Sequence, residues 1–371
     1  MIPKERAHIV VTANTHEGMS GKNNEDRYGV SAFIVSQETK IPSLFAIVAD
    51  GIGGHQAGEV AAEIAVETIS QIVADSDASD PLATLENAVI QAGQAVHQQS
   101  IQDEAKQGMG STCVCAWVIG KRLYIVSVGD SRIYLLRDDQ ILQITTDHTW
   151  VQEAVQHGII TPDQVRGHPQ SHIIRRYLGS KKPTEPDFRL RLHTEESEDE
   201  TLANQGMELL PGDKLLLCSD GLSDLVEEPE MFAELTKNTP DEALQNLIDL
   251  ANQRGGHDNI TTVTVQGPTT SSLPKKKTSG KSSRKRVYWL AGGILGIIAL
   301  LAIIVIGFLA WRFTRPEITP TPTLQVTAPT IFETSIVPTE GMDETASPQP
   351  ATDTPPPQAT YTPWPTSTPN P

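Results

Sequence analysis

Up to about residue 266 the chain alternates apolar stretches with Gly- and Asp-containing turns, and its apolar positions follow two different periods. Residues 8–13 and 27–35 predict a first pair of strands. Residues 44–49, Leu-Phe-Ala-Ile-Val-Ala, run without a polar break and stop at Asp50-Gly51, as a strand buried on both faces does. Next, Val60, Ala61, Ile64, Ala65 and Ile72 recur at helical spacing, and so do Leu82, Leu85, Val89, Ala92 and Val96. No strand separates these two helices. Strands follow at 112–119, 123–128, 132–137 and 140–144. Their connections at Gly120-Lys121 and Asp138-Asp139 are short enough for antiparallel hairpins. A helix near 150–157, a strand at 214–219, a helix at 241–252 and a strand at 261–265 complete the pattern. Paired helices with runs of hairpins predict an α+β fold, an antiparallel β-sandwich flanked by helix pairs.

Beyond residue 267 the pattern changes. Residues 268–286 are basic, with Lys275, Lys276, Lys277, Lys281, Arg284, Lys285 and Arg286. Residues 287–311 are apolar without a charge, and residues 312–371 are rich in Pro and Thr. The apolar stretch exceeds the roughly 20 residues that span a bilayer core, and Tyr288, Trp289 and Trp311 suit its two interfaces. It predicts a single transmembrane helix, and the basic run before it places the N-terminal domain in the cytoplasm at a cell membrane. Contact of that basic run with anionic membrane lipid is an additional reading. The Thr-Pro repeats predict an extended, disordered tail on the outer side, serving as a spacer or a glycosylated stalk.

Charge narrows the function. A formal net charge of −17 argues against nucleic acid as a partner, because phosphate backbones reward clustered Lys and Arg. Cys113, Cys115 and Cys218 sit in apolar, strand-like runs without metal-ligand spacing, so they read as buried thiols in a reducing compartment. Residues 1–12 lack the pattern of a signal peptide.

The chemistry lies in aspartates at strand ends. Asp50-Gly51, Gly129-Asp130-Ser131-Arg132, Ser219-Asp220-Gly221 and Gly256-His257-Asp258-Asn259 all adjoin apolar strands, and Glu25-Asp26 precedes another. One Asp-Gly pair is usually a turn. Several gathered at one end of a sandwich would repel each other unless a cation lay between them, and Mg²⁺ or Mn²⁺ suits oxygen ligands.

Asn24-Glu25-Asp26, Asp50-Gly51-Ile52-Gly53-Gly54-His55, Gly110-Ser111-Thr112, Gly129-Asp130-Ser131-Arg132, Thr146-Asp147-His148, Ser219-Asp220-Gly221 and Asp258-Asn259 occur in an order that resembles the PPM (PP2C-type) protein phosphatases. The likeness spans residues 8–265 and is nearest to bacterial members partnered with serine/threonine kinases. It implies hydrolysis of phosphoserine and phosphothreonine in phosphoproteins, opposing a cognate kinase, with two or three Mn²⁺ or Mg²⁺ ions. By the same resemblance Asp50 bridges two ions, the Gly51 carbonyl binds one of them, and Asp220 and Asp258 complete the other. Asp130 with Asp220 forms a third, looser site, and Glu25 and Asp26 hold metal-bound waters. Paired ions about 3.5–4 Å apart lower the pKa of a shared water, so no cysteine nucleophile is required.

Three features depart from the pattern or stand outside it. Gly21 occupies the place of a phosphate-binding Arg, leaving Lys22 beside it as a substitute without bidentate geometry. Ile52 stands where some eukaryotic relatives carry a histidine general acid, so the proton donor is open. The acidic run Glu195 to Glu200 reads as a solvated loop. His55 and His148 fall within the motifs and read as structural more readily than as substrate contacts. Asn259 reads equally as ordering the Asp258 loop or as a structural bond to backbone. Residues 149–178 correspond to a variable flap in relatives. Gly51-Ile52-Gly53-Gly54 also matches part of a dinucleotide fingerprint, but Gln56 replaces its third glycine and strand-helix alternation does not continue. A rival reading is a phosphatase-like regulatory module with little turnover, and a third makes the tail the main functional element.

Overall fold

The structure, a computed structural model, describes residues 1–53 and 57–268. The first half runs β1 (Ile2–Lys4), β2 (Val11–His16), β3 (Arg27–Ile34), β4 (Pro42–Ala49), β5 (Gly51–Ile52), α1 (Ala57–Asp75), α2 (Pro81–Gln102), β6 (Gly110–Ser111), β7 (Cys113–Ile119) and β8 (Arg122–Val128). The second runs β9 (Arg132–Arg137), β10 (Gln140–Gln143), α3 (Trp150–Gln156), α4 (Glu198–Ala203), β11 (Met207–Glu208), β12 (Lys214–Cys218), α5 (Asp220–Ser223), α6 (Glu228–Lys237), α7 (Pro240–Gln253) and β13 (Ile260–Gln266).

Two antiparallel sheets result, ordered β1-β3-β4-β7-β8-β11 and β10-β9-β12-β13-β2. Alternation along the strands explains the layers. Leu44, Ala46 and Val48 of β4 and Val114, Ala116 and Val118 of β7 meet Ile133, Leu135, Leu215, Leu217, Val263 and Val265 of the other sheet. The opposite set on β4 and β7, Phe45, Ile47, Cys113, Cys115 and Trp117, packs against Ala65, Ile69, Leu85 and Val89 of α1 and α2. On the far side Tyr134, Leu136, Leu216 and Cys218 meet Met231, Leu235, Leu244, Leu247 and Ile248 of α6 and α7. Strands buried on both faces need apolar residues at every position, hence the unbroken run at 44–49. All three cysteines are free and buried, and burial pushes the Cys218 thiol up to about 12.

Helix ends follow their caps. The Asp80 carboxylate accepts the Ala83 N–H at the start of α2, and Thr239 with Glu242 closes a capping box on α7 behind Pro240. A capping box also corrects the acidic run. Ser197 and Glu200 bond reciprocally and turn residues 198–203 into a short helix, where a solvated loop was expected.

The first strand lies three residues later than the 8–13 expected from apolarity. Ile9 is buried at the end of the sandwich, while β2 continues through polar residues because α7 supplies partners. Thr12 Oγ1 donates to Asp241 Oδ1 at 2.6 Å, and Asn14 Nδ2 to Gln245 Oε1 at 3.0 Å. The edge strand β1 and helix α6 were not anticipated; α6 carries Pro at its start and buries just Met231 and Leu235. Among the described residues no helix is long and apolar enough to cross a membrane. The apolar stretch 287–311, the basic segment before it apart from Pro268, and the tail 312–371 lie outside the described residues.

Because α7 is the outer wall of the second sheet, Leu247→Ala should destabilise the protein by about 2–5 kcal/mol through lost burial and a residual cavity. Asp249→Ala on the solvent side of α7 should change stability by less than about 0.5 kcal/mol. Urea unfolding followed by circular dichroism measures both.

Candidate active site

Antiparallel register gathers the acidic turns. Ala49 pairs with Arg27, Cys113 with Val128, and Cys218 with both Arg132 and Thr262, so residues 26, 50, 130, 219–220 and 258–259 all emerge at one end of the sandwich. Thr112 ties two of these turns together. Its Oγ1 accepts the Asp50 N–H at 3.0 Å and shares a hydrogen with Ser131 Oγ at 2.7 Å, and its N–H donates to Asp50 O at 2.8 Å. Ser219 Oγ donates to Asp26 Oδ2 at 2.7 Å, which fixes the Asp26 carboxylate against β12.

The carboxylates act on one another. Burial raises Asp50 well above the ordinary carboxylate range, and the charges of Asp26, Asp220, Asp130 and Asp258 raise it further. Burial likewise pushes Asp26 up to about 7 and Asp220 up to about 6, and it raises Asp130 well above its ordinary value with help from Asp220. Asp26 Oδ1, Asp130 Oδ1 and Asp220 Oδ1 are buried without a hydrogen-bond partner. Buried carboxylate oxygens lacking donors are costly, and oxygens of this kind fit a hard divalent cation. Asp258 lies at the exposed rim, where its carboxylate accepts the Asn259 N–H at 2.9 Å.

Gly51 is pressed from both sides. A Cβ there would fall 2.3 Å from Gly58 O and 2.6 Å from Glu25 O, so backbone approaches that no side chain would permit hold the turn. The Glu25 carboxylate lies against Gly58 at the start of α1, and it is raised chiefly by burial, with the Gly58 backbone and Lys22 opposing. Lys22 is exposed and near enough to Glu25 for its charge to register. Gly21 beside it has φ +71, a backbone that resists side chains although a Cβ would meet nothing within 4 Å.

Two residues take clearer roles than the sequence assigned. Asn259 forms side chain-to-backbone bonds, accepting from Glu25 N–H at 2.7 Å and donating to Glu17 O at 3.0 Å. His148 is 4% exposed and is held within the frame, its Nδ1 accepting the Gly129 N–H at 3.0 Å. His55 lies outside the described residues. The histidine brought to the carboxylates is His172, from the segment 149–178. Ligand atoms of His172, Asp220 and Asp224 lie within 4.8 Å of one another, with His172 Nδ1 3.3 Å from Asp224 Oδ2. Neither His172 nor Asp224 was anticipated. The spacing of Asp220 and Asp224, one helical turn apart, was the available signal for the second carboxylate.

A family model described as protein phosphatase 2C matches residues 15–249. The serine/threonine protein phosphatase PstP of Mycobacterium tuberculosis is 36% identical over 251 residues, which cover 68% of this chain and 43% of PstP. The chain thus spans less than half of that relative's length. A solved serine/threonine phosphatase of S. agalactiae superposes with a TM-score of 0.60 at 29% identity, covering 70% of this chain and 99% of the other. The catalytic domain of PstP in complex with two manganese ions superposes with a TM-score of 0.57 at 34% identity, covering 70% of this chain and 97% of that domain.

The raised carboxylates set a pH dependence. In metal-free protein, Asp26 and Asp220 hold protons up to about pH 7 and 6, whereas the unfolded chain releases them near 3.8. The folded state therefore binds more protons across this window, and stability should fall as pH rises through it. Saturating Mn²⁺ should reverse the trend, because metal uptake displaces those protons. Thermal midpoints from about pH 5 to 7.5, with and without Mn²⁺, check both directions.

Proposed function

Since the chain belongs to the protein phosphatase 2C family, we propose that its N-terminal domain hydrolyses phosphoserine and phosphothreonine in proteins with the help of two or three Mn²⁺ or Mg²⁺ ions, opposing a cognate serine/threonine kinase. The observation that carries this reading is the trio of buried carboxylate oxygens without partners on Asp26, Asp130 and Asp220. Asp50, the Gly51 carbonyl, Asp220 and Asp258 would hold two ions, and Asp130 with Asp220, within reach of Asp224, a third. When bound, such ions lower the pKa of water toward neutrality and offset charge on the phosphoryl oxygens.

The protein's own groups do the rest. Asp26, fixed by Ser219 Oγ, and Glu25, lying against Gly58, would orient water at the edge of the cluster. Lys22 is the exposed cation placed to attract the substrate phosphate as a point charge, without the fork of an arginine. His172 is the side chain from the flap that reaches the Asp220-Asp224 edge, where it can give a proton to the departing serine or threonine oxygen. The thiols take no part, since all three are buried in the sheets.

For location, the apolar stretch 287–311 behind a basic run supports a single-pass tether at the cell membrane, with this domain on the cytoplasmic side and the tail outside. The basic run can also contact anionic lipid. The net charge of −17 argues against nucleic acid as a partner.

Two experiments test these readings. The full-length protein should release phosphate from a phosphothreonine peptide in Mn²⁺ and not in chelator, and Asp220→Ala should lower the rate at least about 100-fold. Equal rates in chelator, or an active Asp220→Ala, would remove the metal mechanism. In cells, the protein should resist carbonate extraction from the membrane fraction, and external protease should shorten it only by its tail. Release into the soluble fraction would remove the tether.

A further inference from the structure

His148 lies outside the carboxylate cluster, yet it makes more polar contacts to the surrounding frame than any hydrolytic role requires. Its N–H donates to Gly129 O at 2.9 Å, and its Nδ1 accepts the Gly129 N–H at 3.0 Å. The residue therefore grips both backbone groups of the glycine that immediately precedes Asp130. Its Nε2 lies 2.9 Å from Asp187 Oδ2. A backbone N–H can only donate, so Nδ1 carries no proton, and the Nε2–H tautomer donates to Asp187.

Asp187 is itself anchored. Its backbone exchanges two hydrogen bonds with Ser127 at the end of β8, at 2.9 and 3.0 Å. Its carboxylate also accepts from Arg189 Nε at 2.9 Å, and although burial opposes this, His148 and Arg189 hold it below the ordinary carboxylate range. On its other side, His148 O accepts the Arg175 N–H at 2.7 Å, and the next residue, Thr149, forms a bridge with Ile174. His148 is thus the point where the Asp130 turn, the end of β8 and the root of segment 149–178 meet.

A cavity of about 210 Å³ is lined by Asp147, His148, Asp187 and Arg189 among others. The His148 ring is buried, and its two hydrogen bonds decide which nitrogen faces Gly129 and which faces Asp187. Gly129 has no slack of its own. Its φ is +108, and a Cβ there would lie 2.5 Å from Thr112 Cγ2, so the turn is bounded by Thr112 on one side and His148 on the other.

We propose that His148 is a positioning residue: its Nδ1 holds the Gly129-Asp130 turn in the conformation that binds a cation, and its backbone couples that turn to the root of the flap. The role rests on the metal-dependent reading above. Partners of this kind, one bond removed from a ligand, typically change metal affinity by roughly 10–100-fold when lost.

The test separates the two ring nitrogens. His148→Asn places an oxygen where Nδ1 stood and can still accept from Gly129, but it falls short of Asp187. His148→Gln extends a donor toward Asp187 and leaves Gly129 without an acceptor. Two readouts are taken on the full-length protein after thermal unfolding shows that each variant folds: Mn²⁺ titration by calorimetry, and hydrogen exchange at residues 129–131 in metal-free protein. His148→Asn should stay within about threefold of wild type for the weakest Mn²⁺ and keep the turn protected. His148→Gln should lose about tenfold or more in that affinity and exchange faster at the turn. Wild-type behaviour in His148→Gln, or equal losses in both variants, would overturn the proposal. If the wild type binds no Mn²⁺, the hydrolytic reading fails, and the exchange data still decide whether His148 holds the turn.

Discussion

Buried carboxylates repel one another, and each loses hydration on leaving water, so a cluster of them persists only where a stiffer structure prevents it from opening. Here the stiffness comes from antiparallel pairing. β4 pairs with β7 and β12 with both β9 and β13, each strand buried on two faces and clamped between a second sheet and a helix pair. The turns that carry Asp50, Asp130 and Asp220 extend directly from strand ends, so their backbone positions are inherited from the sheets. Thr112 then links Asp50 to Ser131, and Ser219 links β12 to Asp26. The helices and the sandwich interior supply the rigidity; the acidic end uses it.

Much of this was legible in the chain because burial on both faces leaves a strong signature. The uninterrupted run at 44–49, the apolar strands 112–119 and 132–137, and α7 with Leu244, Leu247 and Ile248 on one face could be read from hydrophobicity alone. The aspartates were legible for a related reason: an acidic residue at the end of a deeply apolar strand needs a purpose. Where sequence reading went astray, the determinant was a partner distant in the chain. The first strand continues through Thr12 and Asn14 because α7 offers Asp241 and Gln245, more than two hundred residues later. Helix α6 buries just two residues, too few for a periodic signal. The acidic run became a helix through a local box that charge counting overlooks.

The same distinction applies at the site. The charges of Asp26, Asp130, Asp220 and Asp258 all register at Asp50, and Gly51 is a glycine because neighbouring backbone leaves a side chain no room. Asp224 and His172 were not found, because one looks like an ordinary helix residue and the other lies in a segment without periodicity. Asp224 stands one turn from Asp220 at the end of α5, whereas the nearness of His172 depends on how that segment folds back, with His172 at Asp224 and Arg166 Nη2 donating to Asp224 O at 3.2 Å.

That segment leaves the frame at Thr149 and rejoins it at Ile174, two residues bridged to each other, and Trp150 N–H donates to Ile173 O at 2.9 Å. Its two ends are therefore closed independently of what lies between them. Lengthening or recoding a loop with a closed neck changes the cost of closure only slowly and leaves the strands beneath undisturbed. The segment is built as an exchangeable cassette: about two dozen residues can be rewritten while Asp50, Asp130 and the strands beneath keep their places, and the contact such a change would forfeit is that of His172 with the acidic end.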